Sequence, residues 1–144
     1  MKVVDANVLL YAVNSEVAHH ESAYQWLEGC FDDDRVVGFS WVSLLAFVRL
    51  ATKANVFEHP LTVDDAFDQV DRWLSEPSAV LIEPTVRHAE VMRDLLTGAG
   101  RAGNLVNDAH LAALSIEHRG QVVSFDQDFD RFTGVTWELP PPVV

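Results

Sequence analysis

Short runs of β-branched residues recur along this chain, and longer stretches with helical spacing lie between them. Residues 2–5 (KVVD), 35–39 (RVVGF), 79–83 (AVLIE) and 121–124 (QVVS) read as strands, and 135–137 as a weaker one. Their apolar residues are continuous, as in parallel strands covered on both faces. Helices are expected over 18–28, 41–52, 64–75, 86–96 and 105–118. Pro77 stops the third, Thr85 is placed to cap the fourth, and Gly98 and Gly120 follow the fourth and fifth. The 41–52 stretch is apolar nearly all round and is expected to be buried. In the third helix Ala66, Phe67, Val70 and Leu74 fall on one stripe. Such alternation specifies an α/β sandwich about a mostly parallel sheet. With 144 residues and no internal repeat or linker, the chain reads as a single domain, 1–144, whose core needs no disulfide or structural metal.

Acidic residues number 22 against 10 Lys plus Arg, a net charge of -12. That balance disfavours a protein gripping nucleic acid through a broad basic face. It points to a basic partner, a bound cation or solubility. The single Cys30 excludes an internal disulfide and any multi-cysteine zinc site, and fits a reducing compartment. The start, MKVVDANVLLYAV, is too short and too polar at Asp5 and Asn7 to cross a membrane, and no cleavage pattern follows. A cytoplasmic location is expected.

The acids are placed tellingly. Asp5 ends the first strand and Asp126 lies just beyond the fourth, and sites in open parallel sheets form outside the carboxyl ends of strands. Asp108 sits in the first turn of a helix whose start faces the same edge, and Asp128 follows Asp126 by two residues. Four carboxylates from almost the whole chain can therefore converge. Each also has a structural reading. An acid after a strand is a common turn former or N-cap, and an acid at a helix start suits the macrodipole. Asp5 is different, because its apolar neighbours predict burial, which costs several kcal/mol unless compensated. The only lysines are Lys2 and Lys53. Clustered carboxylates raise one another's pKa, and a divalent cation resolves that conflict. Mg²⁺ and Mn²⁺ take oxygen ligands and support phosphoryl chemistry by activating water and neutralising phosphate charge. No convincing Ser or Cys nucleophile competes with this reading.

Three ordered motifs, VVDANVLLYA (3–12), NDAHLAALSIEHRG (107–120) and VVSFDQDFDRF-x-G-V-x-W (122–137), span nearly the whole chain. Together they resemble the PIN-domain ribonucleases, and more narrowly the VapC toxins of bacterial toxin–antitoxin pairs, especially the mycobacterial set. The resemblance implies a PIN-like three-layer α/β/α sandwich, Mg²⁺ or Mn²⁺ dependence, and endonucleolytic cleavage of RNA by a Mg-activated water. It also implies a cognate VapB-type antitoxin and a homodimer. Carried over, Asp5, Asp108 and Asp126 are the metal-binding acids, with Asp128 a further catalytic acid. Ser124 takes the hydroxyl position of a T/S-x-D element, and Asn7 is the residue that orients Asp5. One departure stands out. The family carries a glutamate three residues before an arginine on the second helix, and here Arg49 is preceded by Ala46. The number of metals is thus open between one and two.

Other signals carry less. Residues 98–103 (GAGRAG) match G-x-G-x-x-G, but a Rossmann turn needs a preceding strand and here a helix ends. They read as a helix stop and a loop, on which Arg101 is a candidate contact to an RNA phosphate. The six histidines form no metal-ligand pattern, His110 and His118 being explained by exposure or packing. The Trp and Phe residues read most simply as core, and Asp32–Asp34 as a solvated turn. Two rival functions remain: a PIN fold that has lost catalysis and sequesters an antitoxin or RNA, which Ala46 favours, and a phosphotransfer domain. The latter needs an Asp where Asn7 stands and a well-placed lysine.

Overall fold

The computed structural model describes residues 1–143. Five three- or two-residue strands carry the sheet: β1 (Lys2–Val4), β2 (Val37–Phe39), β3 (Ala79–Leu81), β4 (Gln121–Val123) and β5 (Trp137–Glu138). They run in the order β3-β2-β1-β4-β5 and every pair is parallel. The sheet is therefore wholly parallel, and all its carboxyl ends open on one edge. The helices are α1 (Ala6–Val13), α2 (His20–Asp32), α3 (Trp41–Ala51), α4 (Val63–Leu74), α5 (His88–Ala99) and α6 (Val106–Glu117), with 3-10 turns at Gly103–Leu105 and Gln127–Arg131.

Two cores flank the sheet. Val4, Val37, Phe39 and Val123 pack with Leu9, Leu27, Phe47 and Trp73 from α1 to α4. Val3, Ile82 and Val122 pack on the other side with Val91 and Leu95 of α5, several residues of α6, and Phe129. Consecutive strand residues face opposite layers, which is why β1 and β4 read as unbroken apolar runs. The three-layer sandwich follows.

The structure departs from the sequence reading in six places. Residues 6–13 form α1, where no helix was anticipated. Helix α2 runs from His20 to Asp32, later than 18–28. The stripe of α4 is Ala66, Val70 and Trp73, leaving Phe67 40% exposed. On α3, Trp41 and Leu45 are exposed although the helix is apolar all round, and Leu45 lines a cleft. Helix α5 begins at His88, two residues after the expected start. Thr85 still serves its entry, its hydroxyl accepting from the Arg87 amide at 3.2 Å. Strand β3 lies at the sheet edge, so Val80 and Leu81 are exposed and not covered on both faces.

Candidate active site

The chain leaves β1 at Asp5 in extended conformation and enters α1 at once, with Asp5 as N-cap. Its Oδ1 accepts from the Ala6 amide at 2.7 Å, and its Oδ2 accepts from Ser124 Oγ at 2.7 Å and Asn7 Nδ2 at 3.4 Å. Ser124 is fully buried at the end of β4. Its hydroxyl also accepts from Asn7 Nδ2 at 3.1 Å and from the Asp126 amide at 2.9 Å. Asn7 Oδ1 in turn accepts from the Phe125 amide at 3.1 Å. The ends of β1 and β4 are thus stitched together through one hydroxyl and one carboxamide, and Asp5 is fixed in orientation. Lys2 takes no part in this. Its ammonium donates to Gln121 and Glu138, both at 2.6 Å.

Asp126 caps the 3-10 turn that follows β4, its Oδ1 accepting from the Asp128 amide at 2.9 Å. Asp108 projects from the first turn of α6. One carboxylate oxygen from each of Asp108, Asp126 and Asp128 lies within 4.8 Å of the other two. Asp5 stands beside this trio without joining it at that spacing. It shares with Asp108 a cleft of about 360 Å³ whose far wall is α3, with Leu45, Ala46 and Arg49. At the position where the family resemblance implies a glutamate, α3 offers the cleft the methyl group of Ala46, with the Arg49 guanidinium beyond it, and the two acids that line the cleft, Asp5 and Asp108, come from other elements.

Electrostatics mark both Asp108 and Asp5. Desolvation, followed by the charges of Asp5, Asp126 and Asp128, pushes the Asp108 carboxyl from an ordinary 3.8 to about 7. Burial likewise raises Asp5, against the hydrogen bonds from Ser124 and Ala6 and with a further push from Asp126. Among the described residues the one basic side chain paired with the acids is Arg131, whose Nε donates to Asp128 Oδ1 at 3.1 Å. Sequence reasoning passed over Arg131, although its i,i+3 spacing from Asp128 is the signal of such a pair. An all-oxygen donor set with too little positive charge around it fits a hard divalent cation.

Arg101 follows Gly100, whose φ of 77° ends α5 in the left-handed region that glycine adopts freely. Arg101 is exposed and lines a depression with Asn104 and Asp128, so the loop does approach the acids. Behind Asp108, α6 is fastened to the start of α5. Glu117 accepts from the Thr85 amide at 2.9 Å and from the hydroxyl of Thr85 and Nδ1 of His88, both at 2.5 Å. His88 Nε2 lies 2.8 Å from His110 Nδ1. Desolvation raises the Glu117 carboxyl, but the bonds from Thr85 and His88 outweigh it and hold the group below its ordinary value. His110 and His118 are therefore tied by hydrogen bonds, His118 Nε2 donating to the Glu83 carbonyl at 2.7 Å.

Comparison with known proteins places this geometry. The PIN domain family model matches residues 2–135. The chain belongs to the PIN-domain family. It is 56% identical over 144 residues to Ribonuclease VapC37 of Mycobacterium tuberculosis, covering all of both chains. It is 36% identical over 140 residues to Ribonuclease VapC33 of the same species, covering 97% of this chain and 98% of that one. Among solved structures, this PIN domain superposes on VapBC2 from Rickettsia felis bound to a DNA fragment from their promoter. The TM-score is 0.72 at 20% identity, over 96% and 97% of the two chains. VapBC-1 from nontypeable Haemophilus influenzae gives 0.66 at 13% identity over 95% and 96%. These likenesses establish the PIN fold. Among the described residues, no helix of this PIN domain is long and apolar enough to cross a membrane.

Proposed function

We propose that this PIN domain is a metal-dependent endoribonuclease, the toxin of a cytoplasmic toxin–antitoxin pair. The convergence of Asp108, Asp126 and Asp128, with Asp5 held rigidly alongside, carries the reading. The 56% identity to a protein named a ribonuclease supports it. Asp5, Asp108 and Asp126 would hold Mg²⁺ or Mn²⁺, with Asp128 at the outer side of the acidic group. Bound there, the cation supplies a water activated for attack on phosphorus and neutralises charge on the phosphate. Asn7 and Ser124 keep the Asp5 carboxylate aimed, and Arg101 contacts a phosphate of the RNA across the depression it shares with Asp128. The antitoxin partner is of VapB type, as in the solved VapBC assemblies of like fold. The toxin itself forms a homodimer.

The test incubates the purified chain with total RNA in Mg²⁺, in EDTA, and as Asp5→Asn. Asparagine is as good an N-cap as aspartate, so α1 keeps its start while the site loses an anionic ligand. Cleavage in Mg²⁺ alone is the expected result. Cutting indifferent to both EDTA and Asp5→Asn refutes the assignment. Ala46 in the cleft wall favours a second reading, a PIN-fold binding module with weakened catalysis. Antitoxin binding without RNA cleavage selects that one. RNA-binding titrations of Arg101→Ala, beside the same cleavage test, probe the loop contact: affinity falls while cleavage of bound RNA persists, and unchanged affinity removes Arg101 from the site.

A further inference from the structure

Ser124 and Asp126 are accounted for, but the residue between them is not. The Phe125 ring is half-buried on the α1–α2 side of the sheet, away from α6. The His19 ring lies over it with centroids 4.6 Å apart and planes 21° from parallel. Tyr11 completes the group, 5.3 Å from Phe125 and 5.9 Å from His19. The frame beneath these rings is fixed. His20 Nδ1 donates to the Tyr11 carbonyl at 2.7 Å, and the Phe125 amide is held by the same Asn7 side chain that donates to Asp5. His19 itself is exposed, and among the described residues its ring makes no hydrogen bond and caps no helix through its side chain.

His19 therefore presents an exposed flat ring with no hydrogen bond, stacked on Phe125, whose chain neighbour is Asp126. Stacking surfaces of this kind hold unpaired bases, because every base has a π-face. The charge of -12 adds a reason for one here. With 10 Lys plus Arg against 22 acidic residues, contacts to bases add affinity and register that a small number of phosphate contacts does not supply.

We infer that Phe125, His19 and Tyr11 form a stacking platform for an unpaired nucleobase of single-stranded RNA, next to the acidic site. The inference rests on the ribonuclease reading for its substrate. The base stacks on the solvent face of His19, which Phe125 backs. Through Asn7 the platform and Asp5 share one frame, so a seated base fixes which phosphate of the strand meets the acids. The platform is therefore a positioning element, distinct from the metal-binding acids.

The experiment measures fluorescence anisotropy of a 5′-labelled oligoadenylate decamer and of a matching abasic decamer in Mg²⁺, on the Asp5→Asn chain to keep the RNA intact. We expect clear preference for oligoadenylate, about tenfold weaker binding of it on adding His19→Ala, and recovery with His19→Tyr. The abasic strand binds all three alike. Equal affinity of the Asp5→Asn chain for the two strands overturns the platform, as does His19→Ala with no effect or with equal loss on both. Thermal melting of each variant separates misfolding from lost stacking, and His19→Tyr recovery cannot come from a misfolded chain. If the natural chain cuts no RNA, the comparison is run on it directly. A base preference abolished by His19→Ala then keeps the platform while the hydrolytic reading falls. Cleavage that ignores His19→Ala, with no base preference, removes the platform alone.

Discussion

Asp108 carries an electrostatic cost whose sign can be measured. Its folded-state pKa of about 7, set by desolvation and then by Asp5, Asp126 and Asp128, lies above the ordinary 3.8. Between about pH 4 and about pH 7 the folded chain therefore keeps a proton that the unfolded chain has released, and stability falls as pH rises through that window. In chelator, the melting temperature of the natural chain should drop from acidic to neutral pH. Asp108→Asn should flatten the profile, and Mg²⁺ should raise the melting temperature most at neutral pH. An equally steep profile in Asp108→Asn would dismiss the account. Ser124→Ala makes a second prediction: losing the hydroxyl that aims Asp5 lowers metal affinity and cleavage about 10–100-fold without abolishing them, read by metal titration and by initial rates on RNA. Asp5 and Asp126 were legible in the sequence because a parallel sheet sends its strand ends to one edge, whereas Asn7 and Ser124 were reached only through the family resemblance. Which three acids approach within 4.8 Å was not legible, because that depends on side-chain rotamers at positions far apart in sequence.

Among the elements, α1 is the instructive omission. VVDANVLLYAV is apolar at almost every position, so neither strand nor helix period shows in it, and the whole run read as the environment of a buried acid. The one local signal was Asp5 itself, an N-cap ahead of eight residues without Gly or Pro. Helix α3 erred the other way: apolar all round, it was expected in the core, yet Leu45 is 55% exposed above the cleft. Composition alone cannot separate a buried face from one that lines a site. The joint between α5 and α6 was invisible, since Thr85, His88 and Glu117 meet only after both helices form. Glu117 has a side chain 1% exposed, and its removal leaves the Thr85 amide and the His88 ring without their acceptor. Glu117→Ala should cost about 3 kcal/mol in urea denaturation, and Glu117→Gln clearly less. Equal, negligible losses in both variants would show that the joint does not hold the helices.

At the level of the whole molecule, the charge of -12 first weighed against nucleic acid and now limits how RNA is engaged. Arg101 and Arg49 are the basic side chains seen at the acidic depression and the cleft, apart from the Arg131 already paired with Asp128. Two phosphate contacts imply a slope of log affinity against log salt of about −1.5 for single-stranded RNA, to be read from titrations over a range of KCl. A slope several times steeper would mean a basic face that the structure does not show. The sheet order has a consequence in time as well as in space. β1, made first, is hydrogen-bonded between β2 and β4, and the bond from Ser124 to Asp5 spans 119 residues. As the chain emerges from the ribosome, Asp5 is therefore exposed long before Ser124, Asp126 and Asp128 exist. No nascent fragment ending ahead of β4 contains the acidic trio or the clasp that aims Asp5. The acidic site thus stays unassembled during synthesis until β4 and the turn after it have been made.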